Sequence, residues 1–247
     1  MVVAKLFMQE LWELKADWDE GIPPHILIRW NTFLQKLPQI SSLKIPRWVH
    51  FSPTHQIQIH GFCDSSEKAY CGAVYMRTAA SDGAITCNLL VAKTKVAPIK
   101  KTTIPKLELC GAVLLSKLVK GIIANVTFPY ELHLWTDSSI VLGWLQKPPQ
   151  TLKTFVANRV TKIISIVSNT HWQHVKTDDN PADLGTRGCT PHELIDSKLW
   201  WHGPTWLIQP IELWPKPRVF DATELETKIF HALAVQQQFY EGVTFTV

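Results

Sequence analysis

Four carboxylates stand where an acid is either costly or useful: Asp64, Glu108, Asp137 and Asp183. The alternation Gln56-Ile57-Gln58-Ile59-His60 predicts a half-buried strand. Counting by two, Ile57 and Ile59 share one face, while Gln58, His60, Phe62 and Asp64 share the other. Asp64 therefore ends a strand on its less apolar face, although an Asp before Ser65 also suits a turn. Asp137 repeats the pattern. Tyr130, Leu132 and Leu134 share one face, and Glu131, His133, Trp135 and Asp137 share the other, with a helix N-cap as the plainer role for Asp137. The two strand ends read alike, Phe62-Cys63-Asp64-Ser65-Ser66 and Trp135-Thr136-Asp137-Ser138-Ser139.

Glu108 is the most telling of the four. On a helical wheel through Pro105–Ile123, Lys106, Lys117 and Lys120 cluster on one side. Glu108 lies opposite, beside Gly111, Leu115, Val119 and Ile122. An acid on a buried face is costly unless it is paired or binds a cation, although a first-turn acid can also answer the helix dipole. Asp183 follows Asn180-Pro181, which suit N-cap and N1, so Asp183 falls at N3, an ordinary capping position.

One explanation covers all four. Clustered hard oxygens are what Mg²⁺ selects, with Mn²⁺ as a substitute. Two such ions about 3.5–4 Å apart activate a water and stabilise the leaving oxygen in phosphodiester cleavage. That chemistry requires Asp64, Glu108 and Asp137 to converge, with Asp183 closing the site from the side. Without cations such a cluster repels itself, so at least one acid is expected to have a raised pKa. Lys93, Lys95, Lys100 and Lys101 read as a basic loop ahead of the Glu108 helix, of which Lys95, Lys100 and Lys101 are the candidates to touch phosphates.

The elements that must carry these residues follow from pattern. Strands are expected from Gln56, over Ala69–Thr78 and Ala84–Lys93, at Tyr130–Asp137 and at His171–Val175, with a turn at Ala80–Gly83. Helices are expected over Pro105–Ala124, between Ser138 and Pro148, over Thr151–Val167 and from Asn180. A three-strand meander followed by strands joined through helices implies an α/β fold with a mixed sheet. Ahead of it, Leu6, Leu11, Trp12, Leu14 and Trp18 and then Pro23–Leu37 read as helices. Behind it come the cluster Trp200–Leu207, a Pro-rich stretch with Pro210, Pro215 and Pro217, and a helical pattern over Thr223–Phe239. Packing is the expected role of that Trp cluster, ahead of base stacking or docking. The organisation reads as a helical extension over 1–53, a domain over 54–189 and a Trp/Pro-rich extension over 190–247.

Composition narrows the class. Eleven Trp and ten Phe exclude a wholly disordered chain. The longest apolar stretch, Leu107–Ala124, is interrupted by Lys117 and Lys120, short of the ~20 clean residues a membrane helix needs. Lys5, Glu10 and Glu13 make a poor secretory signal. Five cysteines with no C-x-x-C pair point to a reduced, cytoplasmic setting. The net charge of +4 permits a nucleic-acid partner without requiring one.

These residues carry a resemblance. The sequence resembles the ribonuclease H segment of Pol polyproteins from BEL/Pao-type long-terminal-repeat retrotransposons, over residues 5 to about 207. The resemblance rests on Leu11-Trp12 with Trp18-Asp19-Glu20, Ile45-Pro46-Arg47-Trp48, His60–Ser66 with Ala69-Tyr70, and Val96-Ala97-Pro98. It continues through Ile104–Leu109, Trp135–Ser138, Val156-Ala157-Asn158-Arg159-Val160, Asn180–Asp183 with Arg187-Gly188, and Trp200–Pro204. It implies a ribonuclease H-like fold, a five-stranded mixed sheet flanked by helices. It also implies hydrolysis of the RNA strand of RNA/DNA hybrids during reverse transcription, with two Mg²⁺ held by Asp64, Glu108, Asp137 and Asp183. The implied partners are the hybrid and the reverse transcriptase and integrase domains of the parent polyprotein, with no membrane, in a cytoplasmic retroelement particle or the nucleus.

The resemblance is imperfect at one point. Many such enzymes place a His in the loop before the last acid, but Lys176-Thr177-Asp178-Asp179 has none and His174 lies earlier, on the strand. Two other functions compete. One is a catalytically idle connection module with the same fold. The other is an aspartic peptidase, as the label Pao retrotransposon peptidase suggests. That mechanism needs paired Asp residues sharing a proton, usually in D-T-G or D-S-G turns, and no Gly follows Asp64-Ser65 or Asp137-Ser138.

Overall fold

A computed structural model describes residues 2–15 and 17–216; Pro217 and the helical pattern over 223–239 lie outside the described residues. Five strands form one sheet: β1 (Gln56–Ser65), β2 (Ala69–Ala79), β3 (Ile85–Val96), β4 (Glu131–Thr136) and β5 (Trp172–His174), in the order β3-β2-β1-β4-β5. The β1/β2 and β2/β3 pairs are antiparallel, and the β1/β4 and β4/β5 pairs are parallel. The expected meander and mixed sheet are both present. The Ala80–Ala84 turn closes with Ala80 N–H on Ala84 O, and Gly83 supplies the positive φ of 86° that it needs.

The register decides where the acids fall. Cys63 lies opposite Thr136 in the parallel β1/β4 ladder. The next residues, Asp64 and Asp137, therefore leave the carboxyl ends of two central strands side by side, at the edge where open sheets bind ligands. One expectation is corrected here. β1 is not half-buried: Ile57 to Asp64 are all buried, because a central strand with packed elements on both sides of the sheet is covered on both faces.

On the first face lie α3 (Ile104–Ile123), α4 (Ser139–Gln146) and α5 (Thr154–Ile164). Leu115, Leu134, Trp144, Val156 and Val160 form its core. The expected helix over Thr151–Val167 is shorter than read, because Pro149–Thr151 forms a separate 3-10 turn ahead of α5. Glycines let α3 approach closely. A Cβ on Gly111 would stand 3.1 Å from Asp64 O. One on Gly61 would meet Leu115 Cδ1 and Leu134 Cδ2, each at 2.8 Å. Gly61→Ala is expected to cost about 1–3 kcal/mol by overpacking, measured by denaturant unfolding; an unchanged midpoint would mean that the leucines swing aside freely.

On the second face, α6 (Ala182–Arg187) packs over β1 and β2. Phe62, Tyr75, Trp135, Trp206 and Trp214 form an aromatic core, with Trp135 and Trp206 ring centroids 4.8 Å apart. Buried Arg77 pins the following segment, donating to Leu207 O (2.6 Å), Gln209 O (3.3 Å) and Gln58 Oε1 (3.0 Å), while Tyr75 OH donates to Trp200 O (2.8 Å). Trp206 is thus a packing residue, as expected of the cluster Trp200–Leu207, and Trp214, outside that cluster, packs with it. Two short helices, α7 (Pro191–Asp196) and α8 (Lys198–His202), link α6 to it.

The N-terminal helices span Val2–Glu13 (α1) and Pro24–Lys36 (α2). Lys5 Nζ donates to Thr94 O and Gln9 Nε2 to Ala97 O, which pins α1 to the end of β3. The helix read through Leu14 and Trp18 is shorter than expected, because α1 ends at Glu13; Trp12 is 69% exposed and Trp18, beyond the helix, 92%. Phe7 takes the buried position instead, against Trp30 and Phe33 of α2. All five cysteines are free, and among the described residues no helix is long and apolar enough to cross a membrane.

Candidate active site

The two Asp-Ser-Ser corners free their acids from bland duties. After β1 the turn is made by Ser66, whose Oγ accepts from Lys68 and Ala69 N–H, both at 3.2 Å. After β4 the cap of α4 is Ser138, whose Oγ accepts from Val141 N–H at 3.2 Å. Neither Asp64 as a turn former nor Asp137 as an N-cap describes the molecule. The dipole role for Glu108 also falls away, because α3 starts at Ile104 and has no acid in its first turn.

Three of the carboxylates instead meet a donor from another element, and Asp183 meets one from its own helix. Asp64 Oδ2 accepts from Thr186 Oγ1 (2.6 Å), and Glu108 Oε2 from Ser138 Oγ (2.5 Å). Asp137 Oδ2 accepts from Thr177 Oγ1 (3.0 Å), while its Oδ1 is buried with no hydrogen-bond partner among the described residues. Asp183 Oδ1 pairs with Arg187 Nε (2.8 Å). Asp183 does lie in the first turn of α6, but the capping atom there belongs to Asn180, whose Oδ1 accepts from Ala182 N–H (3.2 Å). Asn180 is buried and also donates Nδ2 to Cys63 O (2.9 Å), which ties the α6 entrance to β1.

Asp137 is electrostatically coupled to each of the other three acids. Burial raises Asp64 from 3.8 to about 7; the Thr186 hydrogen bond opposes this, while Asp137 and Asp183 add to it. Burial also raises Glu108, with Asp137 contributing after the opposing Ser138 bond. Asp183 is raised by burial, then held back by Arg187 and pushed up again by Asp137 and Asp178. The buried Cys63 thiol, raised mainly by burial, feels Asp137, Asp64 and Glu108 together. At least one raised acid is expected; Asp64, Glu108 and Asp183 are all raised, Asp64 to about 7.

Among the described residues no three His, Cys, Asp or Glu side chains stand in a ready metal-holding arrangement. Each carboxylate is instead turned onto its own hydroxyl or guanidinium donor. The donor set nonetheless fits Mg²⁺ or Mn²⁺, since it is all hard oxygen, and Asp137 Oδ1 is an orphaned buried acceptor at its centre.

Sequence reading missed the partners Thr177, Thr186 and Arg187, and read Ser138 only as a neighbour of Asp137. Polar residues three or four from an acid on a short helix, such as Thr186 and Arg187 after Asp183, were the available signal. The loop without His is confirmed as such: Thr177, in a 3-10 turn, is what faces Asp137, and His174 is paired in the sheet opposite Thr136. The basic loop is corrected. Lys93 and Lys95 lie on the edge strand, because β3 continues to Val96, and only Lys100 and Lys101 lie in the loop; Lys95, Lys100 and Lys101 are all exposed.

Among solved structures, similarity extends to the N-terminal RNase H domain of a Mycobacterium tuberculosis protein fused to maltose-binding protein, 13% identical over 54% of this chain and 91% of that one, TM-score 0.34. It extends also to RNase H1 of Halobacterium salinarum, 13% identical over 57% of this chain and 99% of that one, TM-score 0.33. A third is LC11-RNase H1, from a compost metagenome, in complex with an RNA/DNA hybrid, 12% identical over 56% of this chain and 99% of that one, TM-score 0.35. No curated protein sequence matches the chain. A family profile, the Pao retrotransposon-like RNaseH-like domain, matches residues 1–138, which include β1 to β4, α3, Asp64, Glu108 and Asp137. With more than half its length matched and a five-stranded mixed sheet carrying the acids at one edge, the chain belongs to the Pao retrotransposon-like family of RNaseH-like domains.

Proposed function

We propose that the chain is a retroelement ribonuclease H, hydrolysing the RNA strand of RNA/DNA hybrids during reverse transcription. What supports this reading is that Asp64 and Asp137 follow paired residues at the ends of β1 and β4, that Asp137 couples electrostatically to Asp64, Glu108 and Asp183, and that neighbouring serines take over the turn and cap. In this reading Asp64 and Asp137 are the central ligands of a pair of divalent cations, with Glu108 from α3 and Asp183 from α6 flanking them. The bound cations would supply an activated water and charge stabilisation at the leaving oxygen. Thr186 and Ser138 orient Asp64 and Glu108, and Thr177 orients one oxygen of Asp137 while leaving the other free. Exposed Lys95, Lys100 and Lys101 contact backbone phosphates, and the partners are the reverse transcriptase and integrase domains of the same polyprotein, within a cytoplasmic particle.

The idle-module reading is favoured by one observation, the hydroxyl of Thr177 where related enzymes place a His loop. The peptidase reading has no support in the corners, where Ser66 and Ser138 serve turn and cap and no Gly follows either Asp-Ser. Labelled RNA/DNA hybrid with Mg²⁺, beside a peptide substrate, separates the three: hybrid alone is expected to be cut. Mg²⁺ is also expected to raise the melting temperature, by about 2.7 kcal/mol of added stability at a hundred times its Kd. Uncut hybrid with a melting temperature indifferent to Mg²⁺ would establish the idle module.

A further inference from the structure

Of the stretches marked in the sequence, Val156-Ala157-Asn158-Arg159-Val160 is not used by the acids. Val156 and Val160 are buried in the first core. Arg159 turns instead across α3. Its Cζ lies 3.4 Å from the centroid of the Phe155 ring, Nη1 donates to Phe155 O (3.0 Å), and Nε donates to Cys110 Sγ (3.4 Å). Lys106 Nζ stands 5.6 Å from the same ring centroid. Lys106 and Cys110 are one turn apart and so share a stripe of α3, whereas Glu108, two residues from each, lies about 200° round the helix. The first turns of α3 thus carry Glu108 on one side and Lys106 on the other, where Arg159 reaches across from α5.

The partners of the guanidinium in these contacts are a carbonyl, a thiol and a π face. None is anionic, so its charge is not cancelled by them. Arg159 is also held at three points, so little side-chain freedom remains to be lost when an anion arrives. Arg159, Phe155 and Lys106 are all partly exposed. A guanidinium lying on a ring still presents edge N–H groups, the geometry that matches two oxygens of a phosphate.

We propose that the Arg159–Phe155 platform, with Lys106 beside it, binds a backbone phosphate of the RNA/DNA hybrid on the side of α3 opposite Glu108. The identity of the duplex rests on the nuclease reading; the cationic site does not. The test is hybrid binding by the full chain in chelator, so that cleavage plays no part, as a function of salt. Arg159→Gln and Lys106→Gln are each expected to weaken binding about five- to tenfold and to lower the slope of log K against log salt by about one. Arg159→Lys, keeping charge but losing the planar fork, is expected to fall between. Lys120→Gln, exposed at the far end of the same helix, controls for net charge and is expected to change binding by less than about twofold.

Melting curves establish that each variant is folded, and the pair of platform variants guards against the loss of either one. Millimolar inorganic phosphate, matched in ionic strength with chloride, is expected to leave hybrid binding unchanged; selective loss would reassign the platform to a free phosphate ion and overturn the proposal. It is overturned equally if the wild-type chain does not bind hybrid, or if Arg159→Gln weakens binding no more than Lys120→Gln. Weakened binding by the platform variants beside a wild-type chain that binds but never cuts would sink the nuclease reading alone.

Discussion

Asp64→Asn and Asp137→Asn are each expected to reduce Mg²⁺-dependent cleavage of RNA/DNA hybrid by about a thousandfold or more, while hybrid binding is kept or tightened. The magnitude follows from what a metal-borne charge contributes to a phosphoryl transition state, several kcal/mol at about 1.4 kcal/mol per tenfold. Asn preserves shape at both places. At Asp64 its carbonyl oxygen can still accept from Thr186 Oγ1, so the tie to α6 survives. At Asp137 the charge is lost from an atom that is buried and has no other partner. Binding rests on cations touching phosphates, which neither change removes, and fewer acids near the scissile phosphate means less repulsion. Asp183→Asn is expected to be milder. Its carboxylate is partly exposed and shared with Arg187, and the capping of α6 belongs to Asn180 rather than to it. Cleavage and binding by the three variants at fixed salt and Mg²⁺ rank them. An active Asp64→Asn beside a dead Asp183→Asn would show that the central pair has been wrongly chosen.

The placement of these acids was largely legible because it depends on local periodicity. Alternation through Ile57 and Ile59 and through Leu132 and Leu134 located two strand ends, and the wheel through Gly111 and Leu115 located the inward side of α3. The meander and the crossover order followed from strands and helices taken in turn. Burial of the second sheet face was not legible. Gln58 and His60 look like solvent-facing residues, yet both are buried, since a segment 130 or more residues away brings Trp214 against His60 (ring centroids 5.1 Å) and Leu207 O onto Arg77. Non-local cover of this kind leaves no trace in a period of two. The same holds for the donors on the acids. Thr177 and Thr186 are ordinary loop and helix residues in sequence, and only the fold brings them to Asp137 and Asp64. Spacing through Leu14 and Trp18 overran in the opposite sense, since α1 ends at Glu13 and Trp18 lies beyond it, exposed.

In the absence of divalent cations, Asp64→Asn is expected to be more stable than the parent chain at pH 8 and about equal to it at pH 4. Asp64 titrates at about 7 in the fold, chiefly through burial, against an ordinary 3.8. Between those values the folded chain holds a proton that the unfolded chain has lost. The Asp64 contribution is therefore full below about pH 4, declines as pH rises, and is gone above about 7. Over three pH units, at about 1.4 kcal/mol each, the loss is on the order of 4 kcal/mol. Asn carries no such penalty, so the difference between the two proteins opens across this window. Glu108 and Asp183 are raised in the same direction and remain in both. His60 and His133 act in the opposite sense. Burial holds both below the usual imidazole value, so each destabilises the fold as pH falls through about 6.5, equally in both proteins. The variant difference, rather than the parent's own pH profile, isolates Asp64. A divalent cation neutralises the same carboxylate that the proton does, so millimolar Mg²⁺ at pH 8 is expected to stabilise the parent and to narrow the gap. Denaturant unfolding of the two proteins at pH 4, 6 and 8, with and without Mg²⁺, measures all of this. Equal stabilities at pH 8 without cation would mean that Asp64 is solvated and unstrained, and that the acids do not form the electrostatic cluster from which the nuclease reading starts.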